Sequence, residues 1–255
     1  MHTTTKALVL RAVDYKESDK ILTVLTQEAG KLTVSARGCR KKNSAISAGC
    51  QLLCWSEMVL YEYRGRYVVK EAQTLREFQG VRMDLEKLAL ACYMAEVTEN
   101  LAVEEMPCPE LLSLTLNSLH ALDQLKKPLE LIKGAFELKS MCLAGYEPML
   151  EGCAVCGREI PEQPRFHLRE GVFHCAACKG GVGDGVSMPL DEYVLRSMEH
   201  IVYGDPKRLF SVLLPPNSLK QFGELAEAYL HTQLERGFQT LDFYKQLRLP
   251  CVESK

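Results

Sequence analysis

No stretch of this 255-residue sequence comes near the roughly 18 uninterrupted apolar residues that cross a bilayer. Met1-His2-Thr3-Thr4-Thr5-Lys6 leads into no signal-peptide core. Both absences point to a chain that works in the cytoplasm. No internal repeat of the solenoid kind is present. Absent too are a GxxxxGK[ST] phosphate loop, a GxGxxG after a strand, an HExxH and a GxSxG, which removes the enzyme classes those motifs mark. Acidic pairs such as Glu104-Glu105 and Asp191-Glu192 sit in helical or capping contexts. No carboxylate cluster stands at a spacing that suggests two-metal nuclease chemistry. The sequence indicates no enzyme and offers no catalytic residue.

What is present is ordinary globular material, with 25% charged and 47% hydrophobic residues, enough for one large or two to three small domains. The formal charge of −2 conceals an uneven distribution. Residues 1–80 carry 13 Lys/Arg against 8 Asp/Glu, a net of +5, and the remainder carries 18 against 25, a net of −7. The two parts are therefore expected to meet different partners.

Short apolar runs separated by turns fill residues 6–73: Ala7 to Leu10, Ile21 to Leu25, Leu32 to Ser35, Met58 to Tyr63 and Tyr67 to Val69. Arg64-Gly65-Arg66 reads as a tight hairpin turn. Five short antiparallel strands in about 70 residues suggest a small barrel or sandwich, with the OB-fold a natural candidate. Near residue 80 the period changes, and Leu85, Leu88, Cys92 and Ala95 fall on one helical face. Pro107, Pro109 and Pro128 mark breaks between further helices. Leu219 to Leu247 carries one apolar stripe, Phe222, Leu225, Tyr229, Leu230, Leu234, Phe238, Leu241 and Tyr244, and predicts a single long helix.

Eleven cysteines in a chain with no secretion signal argue for reduced thiols and a metal. Cys153-x2-Cys156 and Cys175-x2-Cys178 stand 175 − 156 − 1 = 18 residues apart, inside the spacing of four-cysteine zinc sites. Four sulfurs suit tetrahedral Zn²⁺ and leave no place for water, so the metal would be structural. Redox-active pairs, an Fe–S cluster, or His167 or His174 replacing a sulfur are the alternatives. Both histidines otherwise read as surface residues on a small hairpin, and the glycine-dense run 180–185 as its flexible exit. Cys39, Cys50, Cys54, Cys92, Cys108, Cys142 and Cys251 read as inert core filler.

Between Glu28 and Glu57 no acidic residue occurs, yet Lys31, Arg37, Arg40, Lys41 and Lys42 all lie there. On a small barrel such cations can displace the counterions of a phosphate backbone. Trp55, Tyr61, Tyr63 and Tyr67 could stack on bases, although in a small barrel such side chains more often fill the interior.

The string Asp14-Tyr15-Lys16-Glu17-Ser18-Asp19-Lys20-Ile21-Leu22-Thr23, then Gly30-Lys31, Ala36 to Ser44, and Gly145-Tyr146-Glu147-Pro148 before the first cysteine pair, resembles the bacterial recombination mediator family RecO. The likeness covers essentially the whole chain and keeps all four cysteines. It implies an α+β multidomain fold: an N-terminal OB-fold barrel at 1–80, then a helical domain at 81–255 carrying a four-cysteine zinc finger inserted at about 150–186. It implies binding of single- and double-stranded DNA, annealing of complementary strands, and action with RecR in the RecF pathway to help RecA replace single-stranded-DNA-binding protein. Lys31, Arg37, Arg40, Lys41 and Lys42 are the implied DNA contacts. The acidic C-terminal tail of single-stranded-DNA-binding protein would meet the helical domain, with Lys126, Lys127, Lys133 and Lys139 as its candidates. A nucleoid-associated, cytoplasmic protein is the expectation. The competing readings are a zinc-ribbon scaffold that binds proteins and not DNA, and a redox-regulated chaperone.

Overall fold

The computed structural model describes residues 1–248, so Cys251 lies outside the described residues. Five strands form around the short apolar runs: β1 (His2–Tyr15), β2 (Asp19–Thr26), β3 (Gly30–Ala36), β4 (Trp55–Tyr63) and β5 (Arg66–Arg76). They close into a barrel in the order β1-β2-β3-β5-β4. All pairings are antiparallel except β3 with β5, where Val34 meets Tyr67 and Ser35 meets Val68. Alternation sends Val9, Leu22, Val24, Val34, Met58 and Leu60 into one interior core. In β1 the register shifts between Val9 and Arg11, a bulge that bends the strand and lets its first half pair with β4 and its second with β2. The β4–β5 hairpin turns through Arg64 and Gly65 at φ of 52° and 70°, the double left-handed geometry of a two-residue turn.

The described chain divides into two compact units: residues 1–125 with residues 238–248, and residues 126–237. Helices continue the first unit after the barrel. They are α1 (Gln79–Arg82), α2 (Leu85–Leu101), α3 (Pro109–Gln124) and the distant α7 (Gln239–Leu247). Asp84 caps α2 by accepting from the Glu86 and Lys87 peptide N–H groups at 3.0 and 3.1 Å. The expected stripe on α2 is corrected: Leu85 is exposed and Leu88 and Cys92 are only half-buried. The helix is instead packed by β1, α3 and α7, so its burial runs through Leu90, Tyr93, Met94 and Val97 on more than one face.

The second unit holds α4 (Leu129–Leu143), α5 (Glu192–Tyr203) and α6 (Pro216–Leu234), with a small sheet between α4 and α5. That sheet orders its strands β7-β6-β8, from β6 (Arg165–His167), β7 (Val172–His174) and β8 (Ser187–Pro189). The single long helix expected over 219–247 is two. The chain leaves α6 at Glu235 in the left-handed region, φ 49°, and Phe238, Leu241 and Tyr244 pack in the first unit. One apolar stripe thus serves two cores, which periodicity alone cannot separate.

Candidate nucleic-acid interface and metal centre

The segment joining β3 to β4 carries the basic run, and its fold is fixed by backbone contacts with the β1–β2 turn. Asp19 Oδ1 accepts from the Gly38 peptide N–H at 2.7 Å, and the Arg40 peptide N–H donates to the Ser18 carbonyl at 2.9 Å. The Gly38 bond holds the Asp19 carboxyl below its ordinary value, with Ser18, Lys16 and Arg37 helping. Buried Cys39, Ile46 and Cys50 anchor the segment to the barrel core. Burial pushes the Cys39 and Cys50 thiols up, which agrees with their reading as inert filler.

Four of the five expected cations are exposed on this segment, Arg37, Arg40, Lys41 and Lys42. Arg40 is partly committed: Nη2 lies 3.1 Å from Asp14 Oδ2 and Nη1 donates to the Lys16 carbonyl at 3.2 Å. Arg37, Lys41 and Lys42 make no ion pair within 4 Å among the described residues. Lys31 stands apart from them, at the opposite end of β3. Its side chain is only 15% exposed, and Nζ donates to the Glu99 carbonyl at 2.9 Å, in the last turn of α2. There a cation meets unpaired carbonyls and the negative end of the helix, a structural role.

The aromatics divide. Ser56, Met58 and Leu60 face inward on β4, so Tyr61 and Tyr63 face outward and do not fill the barrel. Lys70 sits 5.2 Å from the Tyr61 ring centroid and Arg64 5.1 Å from that of Tyr63. These two cations were not singled out by sequence; the alternation on β4 together with the hairpin register could have found them. Tyr67 packs against the barrel core, and burial, with Glu105 and Glu62, raises its phenol. Trp55 is half-buried and lines a hollow outside the barrel.

In the second unit the four paired cysteines converge, their sulfurs all within 4.8 Å of one another. Zn–S bonds of about 2.3 Å would hold tetrahedral sulfurs about 3.8 Å apart, and Cys156 and Cys175 Sγ lie at 3.9 Å. Peptide N–H groups already point at the sulfurs: Cys175 donates to Cys153 Sγ and Glu162 to Cys175 Sγ, both at 3.4 Å. Such bonds favour thiolate, and the donor set fits a soft tetrahedral metal. Gly181 permits the two knuckles to close, since a Cβ there would stand 2.5 Å from Val155 Cγ1. Gly180 and Gly181 complete a 3₁₀ turn, and Gly183 and Gly185 lie in the exposed bends that lead to β8.

The histidines are corrected on both counts. Neither joins the cysteine group, and neither is on the surface: His167 and His174 are 1% and 0% exposed. His174 contacts the Cys175 carbonyl and Ser187 Oγ at 2.9 and 2.8 Å, and His167 Nδ1 accepts from the Glu170 N–H. They are the polar core of the small sheet.

The four lysines between Leu125 and Met141 also separate. Lys133 is buried, with Nζ 2.8 Å from Glu137 Oε1 and 2.8 Å from Glu227 Oε2. Lys139 donates to the Val202 carbonyl at 2.9 Å, near the end of α5. Lys126 is exposed and Lys127 half-exposed.

Among the described residues no helix is long and apolar enough to cross a membrane. Residues 1–78 match the family model described as recombination protein O N terminal, and residues 82–242 the model described as recombination protein O C terminal. The protein named DNA repair protein RecO in Acetivibrio thermocellus is 30% identical over 97% of this chain and 98% of its own. The one in Alkaliphilus metalliredigens is 29% identical over 95% and 98%. The one in Bacillus pumilus is 30% identical over 88% and 86%.

Proposed function

This chain belongs to the RecO family of DNA repair proteins, and from that premise we propose that it is a recombination mediator whose barrel binds DNA through the β3–β4 segment. The observation that carries the reading is the exposure of Arg37, Lys41 and Lys42 on a segment free of acidic residues. Cations held there by a rigid barrel neutralise the phosphates of either single- or double-stranded DNA without reading sequence. Two strands neutralised on one surface repel each other less, and base pairing then supplies the free energy of annealing. That role requires no catalytic residue.

In the same reading the protein acts with RecR to help RecA onto single strands covered by single-stranded-DNA-binding protein. The tail of that protein is acidic, and Lys126 and Lys127 remain the accessible partners for it in the second unit. Cys153, Cys156, Cys175 and Cys178 would hold Zn²⁺, which supplies a closed cross-link and no reactive position.

The test is anisotropy of a labelled single-stranded oligonucleotide at several salt concentrations. Three phosphate contacts on a single strand give a log–log slope of about −2, and a fourth through Arg40 about −3. Changing Arg37, Arg40, Lys41 and Lys42 together to alanine should abolish most binding and flatten the slope. Equal binding by both proteins would move the site elsewhere, and no binding by either would favour a protein scaffold.

A further inference from the structure

Outside the barrel, a hollow of about 350 Å³ lies between the β4–β5 ladder and α3. It is within the size range of small-molecule sites. Trp55 opens β4 and pairs across the ladder with Arg76 at the end of β5, while Asn117 and His120 come from α3. Leu75 and Leu116 supply apolar wall, and no carboxylate lines the hollow.

Two features of its construction go beyond a chance gap. Phe78 is a bulky aromatic in the left-handed region, φ 52° and ψ 59°, where such residues are rare and strained. That conformation sends a 3%-exposed ring into the hollow's lining, with the Arg76 guanidinium 5.8 Å above its centroid. Arg76 Nη1 also lies 3.2 Å from His120 Nδ1. The guanidinium has no lone pair to offer, so Nδ1 accepts and the imidazole proton resides on Nε2. The lining therefore combines a half-buried indole with hydrogen-bond donors from Arg76, His120 and Asn117, and no negative charge.

We propose that this hollow is a nucleotide subsite, in which one base of a single strand stacks on Trp55 while its phosphate or carbonyl oxygens accept from Arg76, His120 and Asn117. The proposal rests on the DNA-binding reading and deepens it. The β3–β4 segment attracts any phosphate backbone, whereas this hollow admits only an unpaired base, since a base within a duplex has both faces stacked. It would give the protein a preference for single strands that the basic segment cannot supply.

Trp55 is the only tryptophan in the chain, so indole emission reports on this hollow directly. An oligo-dT strand, titrated at raised salt to screen the basic segment, should quench that emission in parallel with its own anisotropy. An oligonucleotide carrying 5-iododeoxyuridine should crosslink to Trp55. Arg76→Gln with His120→Gln should weaken single-strand binding about tenfold, within the range of a stacked base, and leave duplex binding unchanged. If anisotropy reports binding while the emission stays constant and crosslinks fall elsewhere, the subsite is wrong and the mediator reading survives. If no oligonucleotide binds, both fall. If a peptide ending in an aromatic residue with a free carboxylate quenches Trp55 and oligo-dT does not, the hollow is a peptide site and the proposal is overturned.

Discussion

At the scale of single residues, two lysines that look like surface cations are structural. Lys31 caps α2 through the Glu99 carbonyl. Lys31→Ala should lower stability by about 1.5–3 kcal/mol, the value of a hydrogen bond involving a charged group, and leave DNA affinity nearly unchanged. Denaturant midpoints measured beside oligonucleotide anisotropy check both halves. Lys133 is more deeply committed. Burial alone would lower its ammonium's pKa, but Glu137 and Glu227 outweigh it and hold the group above its ordinary value. Its contribution is therefore complete below about pH 10.4, the ordinary lysine value, and is lost as pH rises through the higher folded value. Lys133→Met leaves the buried Glu137 and half-buried Glu227 carboxylates without their shared cation and should cost about 3–5 kcal/mol at neutral pH. Chemical denaturation of both proteins from pH 7 to 12 should show that difference shrinking at the alkaline end. None of this was visible in the sequence, where a lysine in an apolar stretch and a lysine on a solvated face are written alike.

At the scale of elements, a metal held by the four cysteines would tie the insert together. Chelation, or Cys178→Ser, should remove the melting transition of the insert and the circular dichroism of its small sheet while the barrel's transition persists. An unchanged melting profile after chelation would mean that the four thiols hold no structural metal. The pair spacing made this cluster legible because two turns and a hairpin bring such cysteines together in almost any context. The barrel was legible for a similar reason, since alternation on β3 and β4 is a local signal. The burial of His167 and His174, the outward aim of Tyr61, and the break at Glu235 depend on what packs against each element. A one-dimensional pattern holds no record of that.

At the scale of the whole molecule, the first unit is assembled from two distant stretches of chain. Tyr93 on α2 meets Phe238 edge-on at 5.6 Å, and Thr240 binds the Glu96 carboxylate through its peptide N–H at 3.2 Å. Phe238→Ala should therefore destabilise the unit that carries the barrel, by about 3–5 kcal/mol for a fully buried phenylalanine. The loss should appear in the transition reported by Trp55 emission, although residue 238 is remote from the barrel in sequence. A drop confined to the second unit's transition would contradict the assignment of α7.

The same arrangement has a consequence for how the protein is made. Between Leu125 and Phe238 lie 238 − 125 − 1 = 112 residues that belong to the other unit. At about 5–20 residues per second this interval takes roughly 6 to 22 seconds to translate. Throughout it, the face of α2 around Tyr93 is uncovered on the nascent chain. The second unit can finish folding before the first is complete, so the order of synthesis and the order of assembly run opposite ways. A ribosome pause or a truncation before α7 would leave a complete barrel with an open helical flank, the kind of exposed apolar surface that chaperones hold and proteases clear.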